Sequence, residues 1–131
     1  MRLLIDTNRY SDFDSGNPEI VARYESASQI WLSLIVIGEL RAGFAGGNQC
    51  EENEIALKEF LAKYGAAVLV PNGETTLVYA EIFVALKRQG TPIPTNDIWI
   101  ASQALQYDLT LDTRDEHFRH VPGLKLVDSE A

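Results

Sequence analysis

Apolar and polar positions fall into blocks along the chain, and the period changes from block to block. Leu3-Leu4-Ile5 is a short apolar run stopped by Asp6, which predicts a buried first strand over residues 2 to 5. Ser15-Gly16-Asn17 reads as a turn, and Pro18 suits the first turn of a helix running to about residue 27. Ile30-Trp31-Leu32 predicts a second strand, and Ser33 can cap a helix over residues 34 to 45 that ends at Gly46-Gly47. Residues 51 to 64 predict another helix with Ile55, Phe60, Leu61 and Tyr64 on its apolar face and Gly65 as its stop. A third strand is expected over residues 66 to 70. The helix over residues 74 to 88 takes Leu77, Ala80, Ile82, Phe83 and Leu86 as its apolar side and Lys87-Arg88 at its negative end. After the stiff segment Gly90-Thr91-Pro92-Ile93-Pro94, Thr95 is read as the cap of a helix over residues 96 to 106. Residues 108 to 112 and 124 to 127 predict a fourth and a fifth strand. Strands alternating with helices imply an α/β fold, a parallel sheet of four to five strands covered on both faces. Ligands of such sheets sit beyond the carboxyl ends of the strands.

The length of 131 residues suits a single domain over 1–131, and 46% apolar content suffices for a core. No apolar run reaches the ~20 residues of a membrane span, so no membrane association is expected. The apolar run at the N-terminus is too short for a signal peptide. Cys50 is the only cysteine, which excludes an intramolecular disulfide and suits a cytoplasmic location. A structural zinc site is disfavoured by the lack of a Cys/His cluster. The net charge of −8 argues against tight, non-specific nucleic-acid binding, because phosphate affinity normally comes from Lys and Arg. It is compatible with a transient anionic substrate or with a basic partner segment.

The acids carry the candidate chemistry. Asp6 directly follows strand one, where it can serve as a helix cap or as a functional group at the sheet edge. Glu39 lies on a helix that is apolar nearly all round in its first turns, where a carboxylate needs a partner unless it faces solvent. Asp97 falls in the first turn of its helix, where the dipole favours negative charge. Asp112 and Asp115 follow strand four in Asp112-Thr113-Arg114-Asp115. Residues three apart on a strand face opposite sides, so both cannot enter one pocket unless the chain turns at Thr113. Carboxylates gathered at one edge repel, by about 4 kcal/mol for a pair at 4 Å and an effective dielectric of 20. A hard divalent cation such as Mg2+ or Mn2+ relieves this, since both prefer oxygen donors. His117 and His120 lack zinc-ligand spacing and read as surface or loop residues.

This ordered set resembles the PIN domain, and in particular the VapC-like toxins of bacterial toxin–antitoxin pairs. The likeness rests on Leu3-Leu4-Ile5-Asp6-Thr7-Asn8, Ser33-x-x-Val36-x-x-Glu39-Leu40-Arg41-x-Gly43, Ile93-Pro94-Thr95-Asn96-Asp97-x-x-Ile100-Ala101, Leu111-x-Thr113-Arg114-Asp115-x-x-Phe118 and Val121-Pro122-Gly123-Leu124. It implies a three-layer α/β/α sandwich and hydrolysis of RNA phosphodiester bonds with Mg2+ or Mn2+. The family acids map onto Asp6, Glu39, Asp97 and Asp115. The resemblance implies Asp6 and Asp97 as the principal metal ligands, with Glu39 and Asp115 completing the site or ordering water. Thr7, Asn8, Asn96 and Thr113 support them by hydrogen bonding. A small antitoxin whose tail covers the site, and a homodimer, are the implied partners. Two positions depart from the pattern. Asp112 stands where relatives have an apolar residue and competes with Asp115 as fourth acid, and His117 stands where many relatives have a further acid.

Other readings fit less of the chain. A haloacid-dehalogenase-type phosphatase needs a second Asp two residues after the first, and that position is Asn8. A phospho-receiver domain needs an acceptor Asp after the middle strand, where Val70-Pro71-Asn72 stands. A PIN scaffold that binds RNA or a protein without cutting remains the third alternative.

Overall fold

The computed structural model describes residues 1–127. Residues 128–131, the end of the expected domain, lie outside the described residues. The elements are β1 (Arg2–Ile5), α1 (Thr7–Asp14), α2 (Pro18–Ser26), β2 (Gln29–Ser33), α3 (Leu34–Gly46), α4 (Cys50–Tyr64), β3 (Ala67–Leu69), α5 (Gly73–Gln89), α6 (Thr95–Gln106) and β4 (Thr110–Asp112), then a 3-10 turn over Glu116–His120. The four strands form one parallel sheet in the order β3-β2-β1-β4. Side chains of successive strand residues point to opposite faces, yet Leu3, Leu4 and Ile5 are all fully buried. Both faces of β1 are therefore covered, as the α/β/α layering requires. From β1 the chain moves outward through β2 to β3, then returns across the sheet through α5 and α6 to lay β4 on the other side of β1. The strand order reverses at β1, so the crevice beyond its carboxyl end and that of β4 is where this topology opens a ligand site.

Local chemistry accounts for most element ends. Ser33 Oγ accepts from Ile35 N at 3.1 Å, capping α3 as its position predicts. Asn17 caps α2 ahead of Pro18, and Asn72 and Thr75 form a reciprocal capping box at the start of α5. Gly65 closes α4 with φ +56°, a left-handed conformation that glycine adopts without a Cβ clash.

Several expectations are corrected. Thr95 is the first helical residue of α6 rather than its cap; Pro94 holds the cap position, and no side chain caps that end. The fourth strand begins at Thr110, because Asp108 takes φ +54° and Leu109 N donates back to Ala104 O, closing the helix. The fifth strand contracts to a single parallel bridge between Leu111 and Leu126. On α4 it is Leu57 and Phe60 that are buried, while Ile55 is exposed. On α5 the buried residues are Thr75, Ile82 and Leu86, and Leu77 and Phe83 stay exposed.

Candidate functional site

The parallel register sets Ile5 beside Asp112, so Asp6 and Thr113 are the first residues past the carboxyl ends of neighbouring strands. Asp6 N donates to Asp112 O at 3.0 Å, extending the ladder one step before α1 turns away. One carboxylate then does two jobs. Asp6 Oδ1 accepts from Thr7 N at 2.8 Å as the cap of α1, and Oδ2 accepts from Thr113 Oγ1 at 2.7 Å. The cap and the edge carboxylate, alternatives in the sequence, are the same side chain. Asn8 Nδ2 lies 3.4 Å from Asp6 Oδ2, and Asn8 Oδ1 accepts from Arg114 N at 3.1 Å, tying the loop after β4 to the start of α1.

Glu39 approaches from α3, half-buried, with Oε1 accepting from Thr7 Oγ1 at 2.8 Å. Asp97, the third residue of α6, is largely buried among bulky apolar neighbours on that helix. The chain leaves the strand direction at Thr113. Its hydroxyl accepts from Asp115 N at 3.0 Å and so turns the loop that carries Asp115 and His117. His117 Nε2 sits 2.6 Å from Asp97 Oδ2 and 4.0 Å from Asp115 Oδ2. One donor atom from each of Asp97, Asp115 and His117 can be chosen so that all lie within 4.8 Å of one another.

The electrostatics follow from this crowding. Burial pushes the Asp6 carboxyl up to about 6, and the charges of Asp97 and Asp115 act in the same direction. The hydrogen bonds from Thr113 and Thr7 pull the other way without cancelling the shift. Asp97 is also raised by burial, with His117 opposing and Asp115 and Glu39 adding to the rise. Asp6, Glu39, Asp97 and Asp115 thus converge on one edge of the sheet. Oxygen donors from several carboxylates, two of them held in a state where negative charge is costly, are a chemistry that fits a hard divalent cation.

Asp112 lies apart from this cluster. Its side chain is fully buried and receives Arg9 Nε at 3.2 Å, Arg23 Nη1 at 2.8 Å and the Tyr24 hydroxyl at 2.9 Å. The alternation of a strand explains the outcome: Asp112 points towards α1 and α2, and the turn at Thr113 brings Asp115 to the cluster instead. Of the supporting residues, Thr7, Asn8 and Thr113 bond directly to the acids. Asn96 is exposed, and among the described residues its side chain makes no hydrogen bond. His117, expected at the surface, is half-buried within the cluster. Its occupation of an acid position in the family pattern was the available signal.

The PIN domain pattern matches residues 3–124. Ribonuclease VapC1 of Haemophilus influenzae is 33% identical over 133 aligned positions, covering 98% of each chain. The VapBC2 structure from Rickettsia felis, bound to a DNA fragment from its promoter, superposes with a TM-score of 0.86 at 28% identity, covering 96% of this chain and 97% of that one. VapBC-1 from nontypeable Haemophilus influenzae gives a TM-score of 0.84 at 30% identity, covering 96% of both. The match spans the whole crevice between β1 and β4 and the elements that carry its acids, and the chain belongs to the PIN-domain family, in its VapC-like branch.

Proposed function

We propose that the chain is a ribonuclease that cuts within RNA by hydrolysis of phosphodiester bonds, and that it acts as the toxin of a toxin–antitoxin pair. The observation that carries this reading is the meeting of Asp6, Glu39, Asp97 and Asp115 at the switch point of the sheet, in a chain similar over its length to a VapC ribonuclease. Asp6, Asp97 and Asp115 would hold a divalent cation, Mg2+ or Mn2+. When bound, such a cation supplies Lewis acidity towards a phosphoryl oxygen and lowers the pKa of water at the site. Glu39, its carboxylate fixed by the Thr7 hydroxyl, would orient water in the crevice and accept a proton from it. Thr113 and Asn8 keep Asp6 in place by bonding the oxygen that does not cap α1. Among the described residues no buried cation neutralises the four acids. Arg9 and Arg23 are committed to Asp112.

An antitoxin covers the same edge, with a basic segment meeting the acidic crevice of a chain whose net charge is −8. Two copies of the chain pair, and the exposed Leu77, Phe83 and Val84 of α5 offer apolar surface for that contact. No helix among the described residues is long and apolar enough to cross a membrane.

The experiment is cleavage of a defined single-stranded RNA by the purified chain. Products are expected with added Mg2+ or Mn2+, loss of cleavage in chelator, and recovery when the cation is restored. Cleavage undiminished by chelator, or none with either cation, contradicts the reading.

A further inference from the structure

His117 is the one feature of the cluster that the four-acid pattern leaves unused. Its Nε2 faces Asp97 Oδ2 at 2.6 Å and Asp115 Oδ2 at 4.0 Å, within a donor set that fits inside 4.8 Å. Six donors about 2.1 Å from one ion lie roughly 3.0 Å apart along an edge and about 4.2 Å apart across the ion. Nε2, Asp97 Oδ2 and Asp115 Oδ2 are therefore near enough to one another for a single cation to be shared among them. The imidazole is not positioned for any other described acid, and the 3-10 turn that carries it is anchored by the fully buried Phe118 next in sequence.

On the reading that this crevice holds a divalent cation, we propose that His117 is a direct ligand and sets the cation preference. A neutral imidazole nitrogen is a borderline donor. First-row transition cations accept it, whereas Mg2+ favours oxygen and keeps its water. A neutral imidazole also brings no negative charge, unlike a carboxylate ligand, and a hard cation misses that charge more than a softer one does. This chain therefore favours Mn2+ over Mg2+. Ligation requires Nε2 to be unprotonated, so cation entry replaces the short contact between His117 and Asp97 rather than adding to it.

The test uses the full chain with Mn2+ and Mg2+ as probes, and reads binding rather than turnover. Pulsed electron paramagnetic resonance of bound Mn2+ should show nitrogen coupling from a directly ligated imidazole, absent in His117→Gln. Titration calorimetry should give Mn2+ at least tenfold tighter than Mg2+ for the parent chain. His117→Asp should narrow that ratio by strengthening Mg2+. In His117→Gln the amide can still donate to Asp97, so a merely structural role for His117 would leave the ratio unchanged; ligation demands that Mn2+ weaken about tenfold while Mg2+ shifts less. Bound Mn2+ with no nitrogen coupling, displaced by Asp97→Asn yet indifferent to His117→Gln, overturns the role of His117 and leaves the four-acid site standing. No binding of either cation that Asp97→Asn alters overturns both.

Discussion

Consider Asp6→Asn in the absence of divalent cation. Asp6 has 3% of its surface exposed, and its carboxyl is shifted from 3.8 to about 6. The folded-state value lies above the unfolded one, so the native chain binds this proton more tightly. Stability from this group is present at low pH and is lost as pH rises through the interval from 3.8 to about 6. At about 1.36 kcal/mol per pH unit, carrying the charge costs the native state roughly 3 kcal/mol above pH 6. Asparagine removes that cost and keeps Oδ1 to accept from Thr7 N. Its Nδ2 cannot accept from Thr113, whose hydroxyl must reverse and give up a charge-assisted bond, and one amide proton is left poorly matched. Such a mismatch costs about 1–2 kcal/mol. The variant should therefore be more stable than the parent by about 1–2 kcal/mol at pH 7.5, and the gain should disappear by pH 4. Urea unfolding of both proteins in chelator at the two pH values measures it. Added cation at ten times its Kd should then stabilise the parent by about 1.4 kcal/mol and leave the variant unchanged. A variant less stable than the parent at pH 7.5, or a difference that ignores pH, would show that Asp6 is a helix cap whose charge the fold accommodates.

Other changes separate the site from its scaffold. Asp112→Ala should cost about 3–5 kcal/mol in urea unfolding, because Arg9 and Arg23 are left facing a buried gap; cation affinity of the folded variant should be unaltered in calorimetry, and a large loss there would move Asp112 into the site. Thr113→Val removes the hydroxyl that joins Asp6 to the Asp115 loop and should weaken cation binding by about 10–100-fold, as removal of an outer-shell partner does; unchanged affinity would mean the acids are positioned without it. Because Asp6 takes up a proton near pH 6, cation affinity of the parent should fall as pH drops from 7 to 5, by close to tenfold per unit below about 6; calorimetry across that range showing a flat affinity would exclude Asp6 as a ligand.

Asp6 was legible because a parallel sheet exposes its carboxyl edge and the acid directly follows a short apolar strand, and Asp97 because it falls in the first turn of a helix whose next residues are bulky and apolar. The choice between Asp112 and Asp115 was legible only as a condition. Alternation says that one must point away, and the hydroxyl of Thr113 bonding to Asp115 N decides which. The partners of Asp112 were hidden, since Arg9, Arg23 and Tyr24 lie 103, 89 and 88 positions away in sequence and meet it through the pairing of β1 with β4. His117 was missed because spacing to Asp97 says nothing about contact across a loop. The apolar side of α4 was misjudged at Ile55 because the face that is buried is the one carrying Leu57 and Phe60, and the Phe60 ring meets Tyr10 and Phe13 of α1 and Tyr24 of α2. The fifth strand failed for a local reason: Gly123 at φ +77° and the turn before it leave only Leu126 in register with Leu111.

If the acids at the switch point make a cation-dependent ribonuclease, Asp97→Asn removes the activity and spares the fold. Thermal unfolding without cation and RNA cleavage with Mg2+ or Mn2+ should be measured on the same preparation. The Asp97→Asn variant should unfold at or above the parent's temperature and cleave RNA at least a hundredfold more slowly. Cleavage at the parent's rate by a folded Asp97→Asn chain would contradict it.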